Sequence, residues 1–143
     1  MQTFLPFPEF ERSAAALDYK RLGKQRVECL QILNALTNKT SGWKNHPATR
    51  MWRGYEKMLC IYAVHICSTW RSKGYQDSLL PTFQAQAMLF EVKGAPPWLG
   101  TEAFHRSHQS NLIRKLPEHY GPPFPGVPSD LPYVWPVVED VVG

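Results

Sequence analysis

LDYKRLGKQRVECLQIL, residues 17–33, decides how the rest of the chain is read. At ~100° per residue, Leu22, Cys29, Leu33 and the following Leu36 fall on one face, the stripe a core-facing helix needs. Arg21, Lys24, Glu28 and Gln31 gather on the opposite side. Lys20, Arg21, Lys24 and Arg26 sit within seven residues, and after Asp18 the only acid is Glu28. Packing explains the first stripe but not the second. Either Glu28 pairs Lys24 one turn away on a solvated face, or the cations, spaced at about one turn, meet successive phosphates.

The spacing predicts a helix from about Ser13 to Leu36. Before it, Pro6 and Pro8 deny helix, so residues 1–11 read as extended. Residues 37–46 form a polar loop. Pro47 suits a first helical turn, with Asn45 or His46 near the N-cap. A second long helix is expected from Pro47 to about Lys73, ending at Gly74, with Trp52, Tyr55, Leu59, Tyr62, Ile66 and Trp70 as its buried stripe. Two shorter helices fit residues 81–90 and 101–115, with the turn GAPPWLG (94–100) between them. Seven prolines from Pro117 to Pro136 exclude helix in the tail. Tyr120, Phe124, Tyr133, Val134 and Trp135 make it too apolar for a free linker, so it should wrap back over the helices. Without strand pattern or repeat, the expected fold is all-α. It would be a single domain over 1–143: a compact bundle of two long and two shorter helices, with an extended N-terminal segment and a Pro/aromatic-rich C-terminal wrap.

Hydrophobic residues at 43% and aromatics at 13% argue against disorder. No apolar run approaches the ~20 residues of a membrane span, and MQTFLPFPEFE has no basic region leading an apolar run, as a secretory signal would. Cys29, Cys60 and Cys67 form no metal-type pair, and an odd number suits no disulfide framework. They read as reduced core residues, with an intracellular, cytoplasmic location expected. Charge is uneven along the chain: residues 1–73 hold 12 Lys/Arg against 5 Asp/Glu, and residues 74–143 hold 4 against 7. The first half is therefore a candidate footprint for a polyanion.

Two further stretches bear on that partner. WKNHPATRMWRGYEK (43–57) places His46 at a helix start and adds Arg50 and Arg53, interleaved with Trp43 and Trp52; such alternation suits backbone neutralisation with base stacking. Trp52 and Tyr55 read as core, leaving His46 and Arg50 as the functional candidates. FHRSHQSNLIRK (104–115) brings His105 and His108 one turn apart, then Arg114 and Lys115. Two histidines at that spacing could bind zinc, but no third ligand has suitable spacing, so phosphate contact or a surface position is expected instead, and no metal. GxSxG, P-loop and GxGxxG motifs are absent, and no cofactor is expected.

Four blocks then carry a resemblance: LDYKRLGKQRVE (17–28), NHPATRMWRGYE (45–56), SHQSNLIRKLPEHY (107–120) and LPYVWP (131–136). With the Lys-Gly-aromatic turn at Ser72–Tyr75, the chain resembles the phage pyrimidine-dimer DNA glycosylases of the endonuclease V type, and more closely their uncharacterised bacterial and phage relatives. The resemblance implies a compact helical enzyme that attacks the sugar C1′ with an amine, passes through a Schiff base, and uses a first-helix glutamate and neighbouring arginines. Gln2 is too bulky for ordinary removal of the initiator methionine, so the amine would be that of Met1, with Lys24 as the alternative. The implied acid directly follows an arginine, whereas here Leu22 follows Arg21, and Glu28 is the nearest carboxylate on the cationic face.

The leading expectation is therefore a DNA glycosylase acting on damaged or modified nucleotides, with or without abasic-site lyase activity. Met1, Arg21, Lys24 and Glu28 would be catalytic. Lys20, Gln25, His46, Arg50, Arg53, His105, His108 and Arg114 would contact nucleic acid. Its partner would be DNA and not a membrane, with the chain acting as a monomer or in an oligomer the pattern does not define. The alternatives are an enzyme processing a hypermodified nucleobase or nucleotide, a non-catalytic nucleic-acid-binding module, and a module for an acidic protein.

Overall fold

The computed structural model describes residues 1–40 and 42–136, and these are all-α: seven helices and no strand. The final residues of the expected domain, 137–143, and Ser41 of the polar loop lie outside the described residues. Helix α1 spans Phe10–Ala16, α2 Tyr19–Leu36, α3 Pro47–Arg50, α4 Glu56–Ser72, α5 Leu80–Leu89, α6 Glu102–Lys115 and α7 Pro117–Tyr120. Helix α4 lies at the centre, packed on α1, α2 and α5. Its stripe is the expected one: Leu59, Tyr62 and Ile66 are fully buried, with Trp70 half-buried.

Both long helices are interrupted. The first breaks at Leu17 and Asp18, which are extended. Tyr120, 102 residues away, sets this break: the Asp18 N–H donates to its hydroxyl at 2.9 Å, and that hydroxyl donates back to the Asp18 carboxylate. An unbroken helix would have needed the same N–H for Ala14. Burial alone would raise the Asp18 pKa, but the Tyr120 bond, the Arg21 bond at 3.2 Å and the Arg21 charge together hold it below its ordinary value. The second interruption separates α3 from α4. Gly54 turns the chain there at φ +88°, a conformation only glycine adopts without strain, and its N–H donates to Glu56. The bend seats Trp52, fully buried, beneath the N-terminal segment.

The tail departs from expectation at one point. Pro117 opens the one-turn α7, since the first helical position needs no N–H. Beyond it the chain wraps over α6 as expected: Leu131 N–H donates to Ser110, Val134 N–H to Ser107, and Asn111 donates to the Leu131 carbonyl. The three cysteines are free and buried; burial pushes the Cys60 and Cys67 thiols up to about 12.

Candidate active site

Residues 2–6 thread through the interior outside any helix and with no strand beside them. A buried backbone must still satisfy its N–H and C=O groups, and here side chains do it. Gln25 donates to the Gln2 carbonyl at 2.7 Å and accepts from the Phe4 N–H at 3.0 Å. Tyr62 donates to the Phe4 carbonyl at 2.7 Å. His108 Nδ1 accepts from the Leu5 N–H at 3.0 Å, His105 Nδ1 donates to the Leu5 carbonyl at 2.8 Å, and Gln109 reaches the Pro6 carbonyl. This strap delivers Met1 to the edge of α2.

Glu28 lies beneath the strap. It falls on the cationic side of α2, as the spacing predicts, but that side is not wholly solvated: Glu28 is only 9% exposed, whereas Lys24 and Gln31 are open to water. Its Oε2 accepts from Gln25 at 2.9 Å and from the Gln2 N–H at 3.3 Å, and its Oε1 lies 3.7 Å from the Lys24 ammonium. With one residue spanning at most ~3.6 Å, the Met1 nitrogen lies within roughly 7 Å of the carboxylate. The Lys24 side chain is 76% exposed, so the ion pair is weak and leaves Glu28 its charge for another partner.

Above these groups opens a cavity of about 360 Å³, within the ~300–1,000 Å³ of ligand sites. Met1, Lys24 and Glu28 line it, with Lys20 and Arg21 from α2 and Lys115 from the end of α6. Tyr133 of the tail closes the far wall, its hydroxyl pushed up to about 12 chiefly by burial. One carboxylate thus shares the cavity with four side-chain cations and the first residue of the strap. Asp18 holds Arg21 in place, which keeps its guanidinium at the rim.

His46 caps α3, its Nδ1 accepting from the Ala48 N–H at 3.0 Å. Burial, then the nearby charge of the N-terminal amine, lowers its pKa, so the ring stays neutral with its proton on Nε2. Its ring packs edge-on to Trp43 and Trp135. Arg50 is half-buried at the end of α3, and Arg53 is exposed, donating to the Lys44 carbonyl; neither lines the cavity.

Four expectations of DNA contact meet a different environment. Gln25 is 1% exposed and braces the strap and Glu28. His105 and His108 are buried at 5% and 1% and hydrogen-bond the strap at Leu5. Burial lowers both pKa values, that of His108 to about 3. Arg114 is exposed but turned to Asn111 and to the Ser129 carbonyl, which places it against the tail. Among the described residues no group of three His, Cys, Asp or Glu could hold a metal ion. The sequence offered Lys115 only as a phosphate-contact or surface residue beside Arg114 and did not mark Tyr133 as a site residue, although both lie in blocks that carry the resemblance.

A search of curated proteins and a search of solved structures find no match to this chain. A family model described as pyrimidine dimer DNA glycosylase matches residues 1–80 of the 143. The matched part includes the strap, Lys20, Arg21, Lys24, Gln25 and Glu28, hence most of the cavity. With more than half of its length covered, the chain belongs to the pyrimidine dimer DNA glycosylase family.

Proposed function

We propose that this protein cleaves the sugar–base bond of damaged or modified nucleotides in DNA and then cuts the strand at the resulting site through a Schiff base. One observation carries the reading: Met1 and the buried-edge Glu28 line the same cavity as Lys20, Arg21 and Lys115. The neutral amine attacks C1′; its lone pair forms the N–C1′ bond as the bond to the base breaks. The base leaves with that electron pair and takes a proton from solvent, and the attacking nitrogen gives one up. Positive charge develops on the sugar during this step, and the Glu28 carboxylate, oriented by Gln25 and the Gln2 N–H, offsets it. The nitrogen lone pair then breaks the C1′–O4′ bond, O4′ taking up a proton, to give an iminium ion. Loss of a C2′ proton to solvent breaks the C3′–O3′ bond and expels the 3′-phosphate, and water hydrolyses the Schiff base to free the amine. Lys20, Arg21 and Lys115 hold the flanking phosphates, and His46, Arg50 and Arg53 extend that contact along the strand. A damaged pair costs less to open, which favours its selection.

Borohydride trapping on abasic-site DNA tests the amine. A covalent adduct is expected, and blocking the α-amino group should remove it; if Lys24→Ala removes it instead, Lys24 is the nucleophile. Glu28→Gln should slow single-turnover base release by about 10²–10³, the loss typical of one preorganised electrostatic group. Absence of both adduct and base release on abasic and ultraviolet-irradiated DNA overturns the reading. Leu22, standing where the resemblance implies an acid, favours a second substrate class, hypermodified bases; base release from undamaged modified DNA would identify it.

A further inference from the structure

Helix α2 presents two adjoining faces. Lys20, Lys24 and Glu28 line the cavity; Tyr19, Gly23 and Arg26, at i, i+4 and i+7, lie roughly 130° away around the axis. The second face carries a stack of aromatic rings. Trp70 and Tyr75 are near-parallel with centroids 4.2 Å apart, and Tyr19 lies beyond Tyr75 at 6.4 Å and 25°. Gly23 makes this possible: a Cβ there would come within 2.8 Å of the Trp70 ring.

The stack is both open and rigid. Tyr19 is 55% exposed and Tyr75 42%, more than packing alone requires of three assembled rings. The turn bearing Tyr75 is pinned. Trp70 Nε1 donates to the Gln76 carbonyl at 2.9 Å, and the enclosed Asp77 carboxylate holds Arg26 at 2.7 Å and Arg71 at 3.3 Å. Arg26 lies over the Trp70 ring at 5.2 Å, and Arg26 and Arg71 line one cleft with Tyr75. Preformed aromatic faces among cations suit nucleobases, because every base has a face to stack and a phosphate beside it. A peptide partner would need donors and acceptors in a groove, and this surface offers flat rings.

We propose that the Tyr19–Tyr75–Trp70 stack is a platform on which an unpaired base of the DNA strand stacks while a neighbouring nucleotide occupies the cavity. It rests on the DNA reading above and extends it: the substrate is DNA opened at more than one nucleotide, with little sequence preference at the stacked position.

Fluorescence anisotropy with dye-labelled single-stranded oligothymidylate, in low salt, tests this. Tyr19→Ala should weaken binding about 10-fold, the scale of one lost base–aromatic stack, and Tyr19→Phe should bind as wild type does. The proposal is overturned if Tyr19→Ala binds as tightly as wild type, if Tyr19→Phe loses as much as Tyr19→Ala, or if wild type does not bind. Circular dichroism confirms the variants fold, which the exposure of Tyr19 leads us to expect. Oligothymidylate has no abasic site, so the measurement is independent of the amine. Loss of trapping with the Tyr19 dependence intact removes the lyase step and leaves the platform; the reverse removes the platform alone.

Discussion

Residues 2–6 and residues 131–135 both lie outside the helices and against them, yet they are held by different means. The N-terminal strap is buried along its length, and Gln25, Tyr62, His105, His108 and Gln109, from three helices, take up its backbone groups. The tail alternates half-buried and exposed residues; its backbone is hydrogen-bonded to Ser107, Ser110 and Asn111 of α6, and its rings touch His108 and His46. A tail that is exposed at alternate residues is open to water for its remaining backbone groups, whereas the buried strap depends on protein partners. The difference follows from what each delivers. The strap brings Met1 toward Glu28, and in the proposed mechanism a small displacement there would spoil the attack geometry. The tail contributes a wall, Tyr133, for which looser placement suffices.

The contrast can be broken most severely with acid. An unfolded imidazole takes up a proton near pH 6.5, whereas the folded His108 does so only at about 3. Below pH 6.5 the unfolded chain therefore binds more protons. Stability from this group is complete above that pH and is lost progressively as pH falls toward 3, by on the order of 5 kcal/mol. Burial lowers His105 in the same direction. Urea titrations across this range should show the decline in wild type and a shallower one in His108→Asn, whose side-chain oxygen can still accept from Leu5. Equal slopes would mean that the strap is not held by a neutral imidazole.

A smaller effect is expected from Tyr62→Phe, which leaves the buried Phe4 carbonyl without its donor and should cost about 1–3 kcal/mol. Base release should also fall, because the strap carries the amine. Smallest is Ser107→Ala on the tail side. It removes the acceptor for the Val134 N–H, which water can replace, so about 0.5–1.5 kcal/mol is expected. If Ser107→Ala cost as much as Tyr62→Phe in the same denaturation series, strap and tail would be equally critical and the distinction would fail.

Several features were legible in the residues themselves. The stripe through Leu59, Tyr62 and Ile66, the stop at Gly74 and the apolar tail folded over α6 all follow from local rules of spacing and stereochemistry. The helix breaks were not legible. Asp18 reads as one more helical residue until Tyr120 competes for its N–H, and Trp52 continues a helical stripe although a glycine turn separates it from α4. His105 and His108 look like surface groups because two polar residues one turn apart carry no local sign of burial. Gln25 looks like part of the cationic face for the same reason.

Sequence by itself therefore determined an all-helical chain, its apolar stripes, and a cluster of cations on one helix that its own acids do not answer. Those depend on neighbours within a few turns, and periodicity records them. Only the tertiary structure decided that Glu28 is covered, that Met1 arrives beside it, and that the histidines of α6 face inward. Each of these depends on a contact between residues far apart in the chain, residue 2 with 28, 5 with 108 and 18 with 120. No local pattern encodes such a pairing, because it exists only once the helices have packed and the strap must find partners for its backbone.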